Sequence, residues 1–378
     1  MRIERVRSWT VKVPLEHRLQ LGSMLITDRE YIFVRVDGDD GNSGSAWSLT
    51  RGLPVGAALF ENGARQAVGA EIGEIERLWQ DAYGSNGPAA QSGVAMRALS
   101  LVDIALWDLR ARSLGVPIHG LLGGMREQVP VVAVSGYPGT ERGPEEAAGR
   151  LSDLAAAGFR TVKVARWPNA TDTATLISHT RADGLIVDAA WAWDDARSAL
   201  AELGAWGDRP LTWLEDPFPV QNFGAYRELH SSQQIPLAAG DEIADPALLA
   251  SLALDGQIDY LRIDAAIAGG FTGVRPLLET CRQANLPTSF HVGLPMHVHL
   301  AASCPGSVGV EAFIGEDTAF DPVSRLLSGS PEIVGGTARV PTREGMGCTP
   351  DWEQILQLAH TDTDTGADHA SVEAKEDQ

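Results

Sequence analysis

Leu185-Ile186-Val187-Asp188, Leu211-Thr212-Trp213-Leu214-Glu215 and Pro236-Leu237-Ala238-Ala239-Gly240-Asp241 decide how this chain folds. Each is a short apolar run of the kind that forms a buried strand, and each ends on a carboxylate. Successive runs lie about one strand-plus-helix repeat apart. Working outward, similar runs occur at 129–134, 160–164, 260–263, 287–290 and 308–313. Between most of them the composition is helical, as at 144–157, 223–230, 246–254 and 272–285. Eight strands alternating with helices over about 200 residues is the pattern of a parallel barrel, so the fold class read here is α/β, a modified (β/α)8 barrel. An open doubly wound sheet would place a glycine-rich nucleotide loop after its first strand, and none is present.

The N-terminal part has a different rhythm. Apolar and polar residues alternate over 2–13 and again over 31–36, and a turn-rich stretch at 37–44 leads to a third strand. A helical stripe over 95–113 carries Leu99, Val102, Leu106 and Leu109 at helical spacing. This part reads as an N-terminal α+β capping domain. The expected division is 1–125 for the cap, 126–330 for the barrel, 331–360 for a segment returning to the cap, and 361–378 for a disordered acidic tail.

The bulk properties exclude several classes. A formal charge of −20, from 30 basic and 50 acidic residues, argues against nucleic acid as a partner. No apolar stretch approaches the roughly 20 residues of a membrane span, and no signal-like core follows Met1. Cys281, Cys304 and Cys348 are widely spaced and read as buried thiols. A cytoplasmic location, no membrane partner and no disulfide framework are the expectations.

In a barrel the C-terminal ends of the strands converge on one mouth, where active sites of this fold lie. Asp188, Glu215 and Asp241 occupy those ends on successive strands, and Asp264 and His291 end the next two. One aspartate after a strand is commonly a helix N-cap. Three converging carboxylates repel strongly at low dielectric unless a cation neutralises them. Oxygen-only ligands favour a hard divalent ion, Mg²⁺ first and Mn²⁺ second. Lys163 lies in an apolar strand, and a closed barrel has no solvent edge to which it can snorkel, so it is expected to point into the mouth. Asp264 can hold the imidazole of His291 in one tautomer, which suits His291 to act as a general base.

The set Gly158-Phe159-Arg160-Thr161-Val162-Lys163, Val187-Asp188, Glu215-Asp216-Pro217, Ala239-Gly240-Asp241-Glu242, Asp264 to Gly270 and Ser289-Phe290-His291 resembles the enolase superfamily, in its mandelate racemase branch. The resemblance covers nearly the whole chain. It implies that Asp188, Glu215 and Asp241 bind Mg²⁺, which chelates a substrate carboxylate. It further implies removal of the α-proton to give a metal-stabilised enediolate, with His291 and Asp264 as the base pair. Glu311 matches a family acid that hydrogen-bonds the substrate carboxylate. The resemblance also suggests a homo-oligomer, from dimer to octamer.

One departure matters. Where mandelate racemase carries Lys-x-Lys, this chain has Lys163, Val164 and Ala165, followed by Arg166. Arginine stays protonated and is a poor base, and its register turns it to the other face of the strand. A racemase needs acid–base groups on both faces of its substrate, so a one-base β-elimination is favoured. The expected activity is that of a lyase, an Mg-dependent dehydratase of an acid sugar or related hydroxy acid in carbohydrate catabolism, with Lys163 helping to neutralise the carboxylate. The alternatives are a racemase or epimerase of the same superfamily, and a degenerate carboxylate-binding member. Specificity should lie in the capping-domain loops at 16–28 and 48–56. Arg18, Arg51 and Arg166 join Glu311 as candidate substrate contacts, and Gly22 and Gly52 lie in the same loops. Trp191 and Trp193 suit either a pocket wall or core packing, and His297 and His299 are read as packing residues.

Overall fold

The computed structural model describes residues 1–21, 24–85, 87–138 and 143–365. The cap is an antiparallel sheet of β1 (Ile3–Leu21), β2 (Met24–Gly38) and β3 (Ser43–Leu49), with a C-terminal strand, Ala359–Asp364, on the outer edge of β1. The helix Gly93–Ser113 lies across β3 and β2 and buries Leu99, Val102, Leu106 and Leu109, the stripe seen in the sequence. The approach is close enough to require glycine. A Cβ on Gly44 would stand 2.1 Å from the carbonyl oxygen of Ala105 and 2.4 Å from the nitrogen of Leu109. Buried Asp108 ties three parts together, accepting from the backbone of Ser45 (2.9 Å) and of Met346 (2.7 Å) and from Arg112 (3.1 Å).

The barrel comprises β4 (Gln128–Val134), β5 (Thr161–Ala165), β6 (Gly184–Asp188), β7 (Trp213–Glu215), β8 (Leu237–Ala239), β9 (Tyr260–Ile263), β10 (Thr288–Phe290) and β11 (Ser307–Phe313). Each is parallel to the next, and β11 pairs with β4 from Val310↔Val131 to Phe313↔Val134, closing the cylinder. Alternate residues face inward. Val132, Ile186, Trp213 and Ala238 form a buried layer with Tyr260 and Val308 packed against it. Val164 and Val187 instead join the main core with helix residues such as Leu176 and Ala199.

Two expectations require correction. Residues 16–28 are not a simple loop: β1 runs on to Leu21 and β2 begins at Met24, so this region is the far end of a long hairpin, in which Leu19 pairs with Ile26. Gly22 lies outside the described residues. The tail does not begin at Thr361, because residues 361–364 pair with β1 from Thr10↔Thr361 to Arg7↔Asp364, and Thr365 donates to Val6. Positions beyond 365 lie outside the described residues. No helix among the described residues is long and apolar enough to cross a membrane. All three cysteines are buried and free.

Candidate active site

Because residues two apart on a barrel strand share a face, the carboxylates that end the strands stand above the inner apolar layer. Lys163 on β5 is buried and reaches three of them. It pairs with Glu215 in a very short contact, with Asp188 at 3.2 Å and with Glu311 at 2.9 Å. A second buried cation, Arg262 on β9, meets Glu215 Oε2 at 3.2 Å, Asp241 at 3.3 Å and Glu311 at 2.6 Å, and donates to Ser289 Oγ at 2.7 Å. Trp213 donates to the second oxygen of Glu215 at 2.9 Å.

Formal charges in this cluster do not balance. Four carboxylates (Asp188, Glu215, Asp241, Glu311) face two cations (Lys163, Arg262), which leaves a charge of −2. Protonation equilibria follow the imbalance. Glu215 touches both cations; burial opposes its ionisation, but Arg262 and Lys163 outweigh it and hold the acid down to about 2. Asp188 is pushed up to about 6, by burial first and by the charges of Glu215 and Asp241, against the pull of Lys163. Asp241 is also raised, by burial and by Glu215. The under-compensated acids hold their protons to higher pH than ordinary carboxylates do. Among the described residues, ligand atoms of Asp241, His291 and Glu311 already lie within 4.8 Å of one another, whereas Asp188 and Glu215 are engaged by Lys163.

Beside the cluster, His291 Nδ1 lies 3.2 Å from Asp264 Oδ2. Asp264 is itself fixed, since its other oxygen accepts from the backbone of Ala266 at 2.8 Å. Burial disfavours the charged imidazole, yet Asp241 and Asp264 outweigh it and raise His291 to about 9. His297 is a packing residue. Its Nδ1 meets the carbonyl oxygen of Val292 and its Nε2 accepts from the backbone of Ala265 at 2.9 Å, which leaves no free edge. His299 is buried, with Nδ1 accepting from His119 N–H (3.2 Å) and Nε2 facing the carbonyl oxygen of Met346 (3.1 Å).

The cap covers these groups with Leu19, Arg29, Tyr31, Trp47, Leu49 and Arg51, and Asp321 closes one side. Tyr31 donates to Asp321 at 2.6 Å, and Arg29 Nε donates to the carbonyl oxygen of Phe320 at 2.9 Å. Arg51 and Arg97 both grip Glu242, the latter at 2.7 Å, which pins the cap to the end of β8. Burial opposes ionisation of Glu242, but the two arginines hold it down to about 2.

The structure thus brings together Lys163, Asp188, Glu215, Asp241, Asp264, His291 and Glu311, and places Arg51 over them. Two candidate substrate contacts fall elsewhere. Arg166 is turned outward, bonded twice to Glu202 (2.7 and 2.8 Å) and stacked on Trp193, because its position in the strand gives it the helix-facing side. Arg18 is exposed on β1 and does not line the chamber. Trp193 is buried and donates to Glu202, so it belongs to packing, while Trp191 lines a separate groove at the rim. Sequence reasoning overlooked Arg262, although a charged residue between Leu261 and Ile263 is the same signal that marked Lys163. Arg29, Glu242 and Asp321 had no comparable local signal.

Comparison with known proteins agrees with this architecture. Residues 4–123 match the mandelate racemase/muconate lactonizing enzyme N-terminal domain, and residues 146–355 match the enolase C-terminal domain-like family. The chain belongs to the mandelate racemase/muconate lactonizing enzyme family of the enolase superfamily. It is 26% identical to the D-galactarolactone cycloisomerase of Agrobacterium fabrum, over 96% of this chain and 100% of that protein. It is 27% identical to the D-gluconate dehydratase of Thermoproteus tenax, over 86% of this chain and 69% of that one. Among solved structures it is similar to the L-talarate dehydratase of Polaromonas sp. JS666 complexed with Mg and L-glucarate. The TM-score is 0.84 at 25% identity, covering 97% of this chain and 99% of that one. These relatives of the superfamily are enzymes, both dehydratases and cycloisomerases.

Proposed function

We propose that the protein is a Mg²⁺-dependent dehydratase of a sugar acid, using His291 as its single acid–base group. The observation that carries the reading is the four-carboxylate, two-cation cluster beside the His291–Asp264 pair. Its charge of −2 is what one divalent ion would balance, and all-oxygen donors suit Mg²⁺, or Mn²⁺ in its place. Asp188, Glu215 and Asp241 would hold the ion, with Glu311 adjoining. Bound there, the ion would draw electron density from the substrate carboxylate and so acidify its α-hydrogen.

The chain's own residues perform the remaining tasks. An ion held by Asp241 would offset one of the two carboxylates that raise His291, so that the imidazole is neutral; Asp264 then accepts from Nδ1–H of His291, leaving the lone pair on Nε2 to take the α-proton. Lys163, buried among carboxylates and held well above its ordinary value once Asp188, Glu215 and Glu311 outweigh its burial, stays cationic and offsets charge growing on the substrate carboxylate. His291 Nε2–H then returns its proton to the departing β-hydroxyl. The wall on β5 supports elimination over racemisation. Ala165 is buried against Leu19, Val134, Tyr137 and Phe320, so the position of a second base presents an apolar surface. Leu19, Tyr31, Trp47 and Leu49 of the cap stand over the chamber and would limit the access of water.

The same site is suited to expelling a ring oxygen in place of a hydroxyl, a second reading favoured by the likeness to the cycloisomerase. Proton NMR of sugar acids and lactones incubated with enzyme and Mg²⁺ in D₂O separates the two. A 2-keto-3-deoxy product supports dehydration, and ring-opened product from lactone alone supports the second reading. Inverted substrate bearing deuterium, with no elimination, would overturn both and indicate an epimerase. His291→Asn should abolish whichever reaction is seen.

A further inference from the structure

The floor of the chamber is short of positive charge, whereas its roof has one positive charge to spare. On the cap side stand Arg29, Arg51 and Arg97, faced by Glu242 and Asp321. Glu242 is shared between Arg51 and Arg97. Asp321 accepts the hydroxyl of Tyr31 at 2.6 Å. Three cations against two carboxylates leave a formal +1. Arg51 and Arg97 share one acid, so that charge is spread over the roof rather than held by one residue, and Arg29 feels the charge of Asp321 without pairing with it. Arg29 is only 8% exposed, its Nε is spent on the carbonyl oxygen of Phe320, and among the described residues no carboxylate lies within ion-pair distance of it. A buried guanidinium without an acid partner is costly. Its terminal nitrogens form a planar fork that suits a carboxylate.

We propose that Arg29, supported by Arg51, forms a subsite for a second anionic group, and that the substrate is a dicarboxylic sugar acid bound with one carboxylate at the floor and the other under the cap. This rests on the proposed reaction only for which end reacts. The spare charge of one selects a carboxylate over a phosphate, which carries close to two negative charges at neutral pH. Arg29 and Arg51 enter the chamber from the cap and Lys163 from the barrel, so the two anion sites face each other across the space the sugar chain would fill.

The test is calorimetric titration of the full-length, Mg²⁺-loaded protein with two matched pairs, galactarate against galactonate and glucarate against gluconate, plus 6-phosphogluconate. In at least one pair the dicarboxylate should bind on the order of 10- to 100-fold more tightly, the usual worth of a charge-assisted hydrogen-bonded pair. Arg29→Gln should reduce that preference to less than about threefold, and Arg29→Lys should restore part of it. Melting curves show whether each variant is folded, and the wild-type preference stands as a test even if Arg29→Gln is not. Equal affinity within both pairs, no binding by any of the five, a preference that survives in folded Arg29→Gln, or tighter binding of 6-phosphogluconate than of either dicarboxylate would each overturn the proposal. Selective dicarboxylate binding without proton exchange would uphold the subsite and sink the proposed reaction. Dehydration of gluconate with no dicarboxylate preference would do the reverse.

Discussion

Replacing Arg262 by Met tests the charge account of the barrel mouth most directly. Methionine approximates the length of the arginine stem and fills part of its space, but removes the guanidinium that contacts Glu215 (3.2 Å), Asp241 (3.3 Å) and Glu311 (2.6 Å). The cluster then carries four carboxylates against Lys163 alone, so its formal charge goes from −2 to −3 inside a fully buried site. Removing one partner from a buried charge network costs about 3–5 kcal/mol, because the charges left behind have lost both water and their counter-ion. For a domain of this size that corresponds to a fall in melting temperature of roughly 10 °C. The assay is scanning calorimetry of wild type and variant at one scan rate and pH 8, first in EDTA and then in saturating Mg²⁺. The variant should melt well below wild type in EDTA, and Mg²⁺ should stabilise it by more than it stabilises wild type, since the ion replaces part of the missing charge. A variant that melts within about 1 °C of wild type in EDTA, where the cost expected is several kcal/mol, would refute the reasoning. So would an equal response of the two proteins to magnesium.

Three further outcomes follow from particular contacts. Asp264→Asn keeps the size of the side chain but no longer enforces the Nδ1–H tautomer of His291, so kcat should fall by on the order of 10²- to 10⁴-fold with little change in KM, measured on whichever sugar acid is turned over. Gly44→Ala drives a methyl group into the backbone of the cap helix at 2.1 Å from Ala105 O, and denaturant melts should show a loss of about 3 kcal/mol. His299 is pushed from 6.5 down to about 4, mainly by burial, so its folded value lies below its unfolded one. Its contribution to stability is therefore complete above about pH 6.5 and lost as pH falls towards 4, up to about 3 kcal/mol. Urea titrations of wild type and His299→Gln at pH 7 and pH 4.5 should show the smaller acid-induced loss in the variant.

Much of this molecule is legible in short windows of sequence. Apolar runs of strand length separated by helical stretches, with Asp188, Glu215 and Asp241 at their ends, imply a barrel mouth, because parallel strands in a closed cylinder must all end on the same side. Period-two alternation along β5 likewise separates Lys163, which faces inward, from Arg166, which is turned to Glu202 on the helix side. What no window contains is the pairing of charges across strands distant in sequence. That Arg262 completes the cluster begun by Lys163, that Glu242 is shared by Arg51 and Arg97, and that Arg29 meets the carbonyl of Phe320 and, among the described residues, pairs with no carboxylate depend on how cap and barrel close against each other. The extension of β1 to Leu21 and the pairing of 361–364 with β1 were hidden for the same reason, since polar residues become strands there through partners supplied by the rest of the fold. Side-chain type and spacing are local properties, whereas the electrostatic balance of a buried site is a sum over elements that only tertiary packing brings within a few ångströms of one another.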